Sequence, residues 1–325
     1  MADSPPSARR GAVDVPELVE QARAGKARAV GRLISLVEDE SPRLREVMAA
    51  LAPYAGRAHV IGITGAPGVG KSTSTSALVS ALRKDGKRVG ILAVDPSSPF
   101  SGGALLGDRV RMSEHATDTG VFIRSTASRG HLGGLAWSTP QALRVLDASG
   151  FDVVVVETVG VGQSEVEVAR TADTTLVLLA PGMGDGIQAA KAGILEIGDV
   201  YVVNKADRDG AATVRRDLRN MLALAERPAD SWRPPVLLMS AQSGDGVPEV
   251  VAKLDDHRAW ASSSGELRRR RVRRARDEVE AIAVTALRRR WSGVSDRTEL
   301  DDLAEQVVAG ELDPYAAADR LVDDR

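Results

Sequence analysis

The chain has 325 residues, of which 43% are hydrophobic, 27% charged and only 3% aromatic, and 43 Lys and Arg against 45 Asp and Glu leave a net charge of −2. That balance belongs to a globular chain with a core of Val, Leu, Ile and Ala, and it gives no overall attraction to nucleic acid or to an anionic membrane. Cysteine is absent, which excludes disulfides, thiolate metal sites and a cysteine nucleophile.

Residues 1–14, within "MADSPPSARRGAV" and the Asp that follows, are rich in Ser, Pro and Arg. They are expected to be a disordered tail without the apolar core of a secretory leader. With no apolar run long enough to span a bilayer, the expected location is cytoplasmic. Across residues 15–55, Leu18, Ala22, Ala29, Leu33, Leu36 and Val37 recur at helical spacing, and Ser41 before Pro42 reads as the N-cap of a further helix. This stretch is a helical prefix.

From residue 56 to 262 the pattern changes to short apolar runs rich in β-branched residues: "HVIGIT", "RVGILAVD", "GVFIRST", "FDVVVVET", "TTLVLLAP", "DVYVVNK" and "PVLLMSA". Segments of helical character separate them. Runs that are apolar at consecutive positions suit strands buried on both faces, so the expectation is an α/β fold with a doubly wound, mainly parallel sheet. Residues 263–325 hold no strand pattern. Val272, Val279, Ile282, Ala283, Ala286 and Leu287 make an apolar stripe on a long basic helix, and two shorter helices follow around Gly310 and Pro314. The arginine run at 268–274 has no aromatic platform and lies beside Asp277, Glu278 and Glu280, so it reads as a solvated helix face.

The first strand runs into Gly65-Ala66-Pro67-Gly68-Val69-Gly70-Lys71-Ser72-Thr73, which fits the pattern G-x-x-x-x-G-K-S/T between a strand and a helix. Glycines there let backbone N–H groups turn in around a phosphate, and the helix N-terminus adds the positive end of its dipole. Lys71 is expected to reach the β- and γ-phosphates, and Ser72 to offer its hydroxyl to Mg²⁺. In "FDVVVVETVGVGQ" a buried strand ends in Glu157, with Gly160 three residues on, a carboxylate and an N–H placed for the metal shell and the γ-phosphate. Asp95 and Asp108, in "AVDPSSPFSGGALLGDRVRM", are two further carboxylates for that shell, with Asp95 also able to serve as a turn cap. "PGMGDGIQAAKAG" carries another glycine-rich turn, with Asp185, Gln188 and Lys191.

"VVNKAD" supplies Asn204, Lys205 and Asp207 in the order N-K-x-D at the end of a strand. Guanine has paired N1–H and N2–H₂ donors that the Asp207 carboxylate can accept together, and adenine has none. Asn204 is expected at O6 or N7, the Lys205 stem over the ring, and Ser240, Ala241 and Gln242 at the rim through a backbone N–H. A site built around those donors rejects adenine. The histidines, His59, His115, His131 and His257, show no metal-ligand spacing.

In this order, "GAPGVGKST", "VDPSS…GDRVRM", "RGHLGGL", "ETVGVGQSE", "GDGIQAAKAGI" and "NKAD" closely resemble the MeaB/ArgK-type GTPases, bacterial relatives of the human methylmalonic aciduria type A protein. The resemblance implies a homodimeric P-loop GTPase of the SIMIBI class, whose C-terminal helices mediate dimerisation. It implies Mg²⁺ and GTP or GDP as ligands, with no cobalamin bound by this chain itself. Its partner would be an adenosylcobalamin-dependent acyl-CoA mutase, methylmalonyl-CoA mutase first, with an adenosyltransferase as a further partner and neither nucleic acid nor membrane. Carried onto this sequence, the catalytic residues are Lys71, Asp95 and Glu157, the metal ligands Ser72, Asp95, Asp108 and Glu157, and the stretch from Gly182 to Lys191 resembles an additional switch facing the mutase. One departure from Ras-like enzymes matters for rate. Where those carry a water-orienting glutamine directly after the D-x-x-G glycine, this chain has Val161, and Gln163 comes two residues later. Slow intrinsic hydrolysis, raised by a protein partner, is the expectation. The competing readings are a P-loop kinase or ATPase and a metal-insertion GTPase, the latter disfavoured by the missing Cys and His clusters.

Overall fold

The computed structural model describes residues 14–95, 113–127, 138–158, 164–182, 194–226, 228, 230–292 and 297–323. Three helices open it: α1 (Val15–Arg23), α2 (Ala27–Glu38) and α3 (Leu44–Leu51). Asp14 caps α1 by accepting from the Glu17 backbone N–H at 3.1 Å, one of the donors that a helix start leaves without a partner. The third helix starts later than Ser41-Pro42 predicts. Those two residues close a tight turn in which Leu44 N–H donates to the Ser41 carbonyl at 2.8 Å, and the i to i−4 ladder begins only with Val47 N–H to Arg43 O.

Seven strands follow, β1 (His59–Gly65), β2 (Val89–Asp95), β3 (Val121–Ala127), β4 (Val153–Thr158), β5 (Thr174–Leu179), β6 (Val200–Val203) and β7 (Val236–Leu238). Their order across the sheet is β3-β2-β4-β1-β5-β6-β7, every pairing parallel. Among the described residues, the helices that follow these strands are α4 (Lys71–Lys84), α5 (Thr139–Ala148), α6 (Ser164–Thr171), the short α7 (Ile194–Ile197), α8 (Ala211–Ala223) and α9 (Val247–Ser263). Strand β4 explains the unbroken apolar runs. Val154 and Val156 join Leu33, Ile34, Leu146 and Val168 on the face covered by α1–α3, α5 and α6, whereas Val153 and Val155 join Leu78, Val79, Val250 and Leu254 under α4 and α9. Both faces are dry, so both need apolar side chains, at about 1.5–3 kcal/mol for each Val or Leu fully buried. A third cluster seats α8 on Val177, Leu179, Tyr201 and Val203.

The chain leaves β1 toward one edge of the sheet and leaves β4 toward the other, so β1 and β4 flank the topological switch point. Ligands of open α/β sheets bind outside the carboxyl ends of strands at that position.

The remaining helices among the described residues are α10 (Glu266–Ser292), α11 (Arg297–Val308) and α12 (Pro314–Asp323). The molecule divides into two compact units, Met1–Arg271 and Val272–Arg325. In the second unit Val272, Val279, Ile282 and Leu287 of the expected stripe are exposed by 51, 67, 42 and 62%.

The solvated-face reading of the arginine run fails at two positions. Arg270 grips Asp199 with two nitrogens at 2.7 and 2.8 Å, and Arg271 grips Asp173 at 2.7 and 3.2 Å. Both aspartates are buried, directly before β6 and β5. A buried carboxylate without a partner is costly, and these arginines supply the partner. Burial pushes the Asp199 carboxyl up, yet hydrogen bonds from His257 and Arg270 outweigh it and hold it at about 2. Two of the four histidines also meet here: His59 Nε2 and His257 Nδ1 each lie 2.7 Å from the Thr174 hydroxyl, and His257 Nε2 is 3.3 Å from Asp199.

Candidate nucleotide site

At the carboxyl end of β1 the chain must turn sharply between its sheet neighbours and enter α4. Gly65 does so at φ +146°, and a Cβ there would lie 2.3 Å from the Leu178 carbonyl oxygen, a backbone atom that cannot yield. Gly70, the residue before α4, has φ +93°, and its Cβ would lie 2.6 Å from the Asn204 amide nitrogen. These glycines are therefore demanded by backbone geometry and by close approach. The residue before α4 makes no side-chain cap bond, which is the arrangement in which the first N–H groups of a helix can receive an anion.

Lys71, the first residue of α4, folds back over the turn, and its Nζ donates to the carbonyls of Gly65 at 2.6 Å and Ala66 at 3.1 Å. Pro67, Gly68 and Thr73 are exposed and Val69 is buried beneath the turn. Ser72 donates its hydroxyl to Glu157 Oε1 at 2.7 Å. Glu157 is buried on β4, in register with Ile63 of β1 and Ala93 of β2. Asp95 ends β2 one strand away, paired through its backbone with Ala127. The Ser72 hydroxyl and the Glu157 carboxylate are hard oxygen ligands, the set that Mg²⁺ takes, so the residues fit that ion. Asp108, Gly160 and residues 183–191 lie outside the described residues.

The N-K-x-D residues stand two strands along, after β6, and reach the same turn. Asn204, 2% exposed, donates Nδ2–H to the Val69 carbonyl at 2.8 Å and accepts from the Ala241 N–H at 3.1 Å. Lys205 sits in the left-handed region at φ 57°, which a lysine adopts only at a cost, and its Nζ donates to the Gly68 carbonyl at 2.8 Å. Asp207 is exposed, and its Oδ1 accepts from the Ser240 hydroxyl at 2.9 Å. That bond, with smaller help from a backbone N–H and the Arg208 and Lys205 charges, holds the carboxyl below the usual range and keeps it an acceptor. Gln242 is exposed next to Ala241. The order of residues predicts Ser240 at the rim; its hydroxyl bond to Asp207, 33 residues away, carries no mark in the sequence.

The arrangement thus joins an anion-receptive turn to a carboxylate, a carboxamide and a backbone N–H. Comparison with known proteins agrees with that chemistry. A Pyrococcus abyssi protein described as a GTPase is 44% identical over 310 residues, covering 95% of this chain and 96% of that protein. The Escherichia coli GTPase ArgK is 39% identical over 258 residues, 77% of this chain and 78% of the relative. A mouse protein named methylmalonic aciduria type A homolog, mitochondrial, is 37% identical over 266 residues, covering 81% of this chain and 64% of its own. Among solved structures, one described as LAO/AO transport system kinase matches with a TM-score of 0.73 at 28% identity, over 96% of this chain and 99% of that one. The sequence model of the family described as methylmalonyl Co-A mutase-associated GTPase MeaB matches residues 30–296. This chain belongs to that MeaB family, and its reaction is hydrolysis of GTP to GDP and phosphate.

Proposed function

We propose that this GTPase is a nucleotide-controlled chaperone of an adenosylcobalamin-dependent acyl-CoA mutase, methylmalonyl-CoA mutase first, and that it gates cofactor loading and protects the mutase. The family assignment and the likeness to the mouse homolog support the partner. The observation that carries nucleotide control is the pair of bonds from Asn204 and Lys205 to the carbonyls of Val69 and Gly68, through which base and phosphate sites are one unit.

In this reading the backbone of Gly65–Thr73 and the Lys71 ammonium cradle the phosphates, with Gly160 at the γ-phosphate. Asn204, Lys205 and Asp207 read guanine, with the rim completed by Ser240, Ala241 and Gln242. Ser72, Asp95, Asp108 and Glu157 hold Mg²⁺, which neutralises charge on the phosphoryl oxygens. Asp95 and Glu157 position water at the reacting end, and the segment from Gly182 to Lys191 faces the mutase. Residues 263–325 pair two copies of the chain, for which the exposed Val272, Val279, Ile282 and Leu287 supply apolar surface. The chain acts in the cytoplasm, with an adenosyltransferase as a further partner.

GTP turnover by the isolated protein, repeated with methylmalonyl-CoA mutase, tests the proposal. Slow turnover that rises on adding the mutase is expected, together with mutase capture that differs between GDP and a non-hydrolysable GTP analogue. Fast turnover indifferent to the mutase, with no capture in either state, refutes it. The likeness to a solved structure described as a kinase favours a second reading, phosphate transfer to an acceptor. Parallel measurement of transfer to water and to candidate acceptors, with GTP and with ATP, separates the two.

A further inference from the structure

The amino ends of the strands carry a network that the nucleotide chemistry does not use. Between the helical prefix and β1, the three residues Gly56, Arg57 and Ala58 have all six backbone polar groups held by side chains. Their N–H groups donate to the Asp147 carboxylate of α5, at 3.0 Å for Arg57 and 2.8 Å for Ala58, with Gly56 on its second oxygen. Their carbonyls accept from arginines: Gly56 and Ala58 from Arg271 of α10, the latter at 2.8 Å, and Arg57 from Arg258 of α9 at 2.9 Å. Arg271 also grips Asp173, whose Oδ2 accepts from Val60 N–H of β1 at 3.1 Å. His59 and Thr174 tie β1 to β5 directly, and Arg270 with His257 ties in β6 through Asp199.

Arg271 therefore holds the starts of β1 and β5 at once. At the other end of β1, six residue steps or roughly 20 Å away, Gly65 lies against Leu178 of β5 and its carbonyl takes the Lys71 ammonium. A shift of β1 against β5 at the phosphate turn reaches Arg271 along a strand that is stiff and dry on both faces. Its two carboxylate bonds and its backbone bonds cannot all keep their lengths through such a slide.

We propose that this clamp is a conformational device that reports the occupancy of the nucleotide site at the first turn of α10, residues 266–271, with Arg271 as the element strained by displacement of β1 against β5. The proposal rests on the nucleotide reading above. It requires two states of the clamp that nucleotide biases differently.

Hydrogen exchange of the full chain, with GDP and Mg²⁺ and with a non-hydrolysable GTP analogue and Mg²⁺, tests it beside calorimetric titration of both nucleotides. Amides of residues 264–275 are expected to exchange about fivefold or more differently between the two states, the lower end of ordinary site-to-site coupling. In the double variant Arg271→Gln with Asp173→Asn, an amide pair without charge, both nucleotides should still bind, with the ratio of their affinities shifted by the coupling that the clamp no longer carries, and the difference at 264–275 should vanish. Wild-type protein that binds both nucleotides yet shows no difference there overturns the clamp, as does a folded double variant that keeps the difference. Should the double variant not fold, the wild-type comparison alone decides. Absence of any GTP binding overturns the nucleotide reading and the clamp with it.

Discussion

Removing the Asn204 side chain tests the joint between the proposed base and phosphate sites. In Asn204→Ala the Val69 carbonyl loses its donor at 2.8 Å and the Ala241 N–H its acceptor at 3.1 Å. An orphaned buried polar group costs about 1–3 kcal/mol, and water at the open rim near Ala241 recovers part of one of them, so the sum is about 2–3 kcal/mol. For a unit of this size that lowers the melting temperature by roughly 4–12 °C without nucleotide. GTP affinity falls by roughly 30- to 150-fold if the same interactions are needed to hold the turn for the phosphates. Asn204→Asp is a sharper control, because it keeps an acceptor for Ala241 N–H but sets an oxygen against the Val69 carbonyl, so it should bind GTP no better than the Ala variant. Differential scanning calorimetry and isothermal titration with GTP and Mg²⁺ read both quantities. A variant that melts as the wild type does and binds GTP equally well refutes the reasoning, and one that melts lower but binds unchanged assigns Asn204 to structure alone.

Lys71→Ala should lower GTP turnover by roughly 10²- to 10³-fold, the usual loss for one electrostatic group at a reacting centre, measured as phosphate release. Arg270→Ala leaves Asp199 buried without its guanidinium and should destabilise the fold by about 3–5 kcal/mol in urea unfolding; an unchanged midpoint would mean the pair is neutral. His59, whose pKa burial foremost and the Arg258 charge lower to about 3, is kept neutral in the fold while the unfolded chain takes up a proton below its ordinary 6.5. Stability therefore falls as pH drops from 6.5 toward 3, by about 2 kcal/mol between roughly pH 6.5 and 4.5 from this group, and His59→Gln should flatten that part of the curve. Asp207→Asn should weaken GTP and favour a xanthine nucleotide, whose C2 carbonyl meets the new amide donor, by competitive titration.

What the sequence discloses is what the backbone and the solvent impose locally. A sheet covered on both faces forbids polar alternation, so "VVVV" at 153–156 marks a central strand without reference to anything distant. The glycine turn after β1 is legible for a similar reason: at Gly65 and Gly70 a Cβ would meet its neighbours at 2.3 and 2.6 Å, and that constraint appears as glycine at fixed spacing. Pairings between distant side chains leave no such trace. In a run of seven residues with six arginines, nothing local distinguishes Arg270 and Arg271 from the rest; their partners stand 71 and 98 residues earlier. His59 and His257 carry no recognisable spacing because Thr174, which joins them, is 115 residues from one and 83 from the other.

The two ends of the strands are built on opposite terms, and the difference follows from what each must do. At the amino ends the charges of Asp173 and Asp199 are buried and matched by arginines, so a displacement there strains a matched charge. At the carboxyl ends Lys71 and Lys205 bond to neutral carbonyls of the turn, at 2.6–3.1 Å. A hydrogen bond from an ammonium to a charged phosphate oxygen is roughly twice as strong as one between neutral groups, and stronger than one to a carbonyl. In the proposed reading, exchange of the Lys71 carbonyl partners for phosphate is therefore favourable, and it frees the Gly65 carbonyl at the end of β1. In that reading an ion-paired base and an exchangeable rim let the sheet grip and release a triphosphate without unfolding, as a GTPase turning over requires.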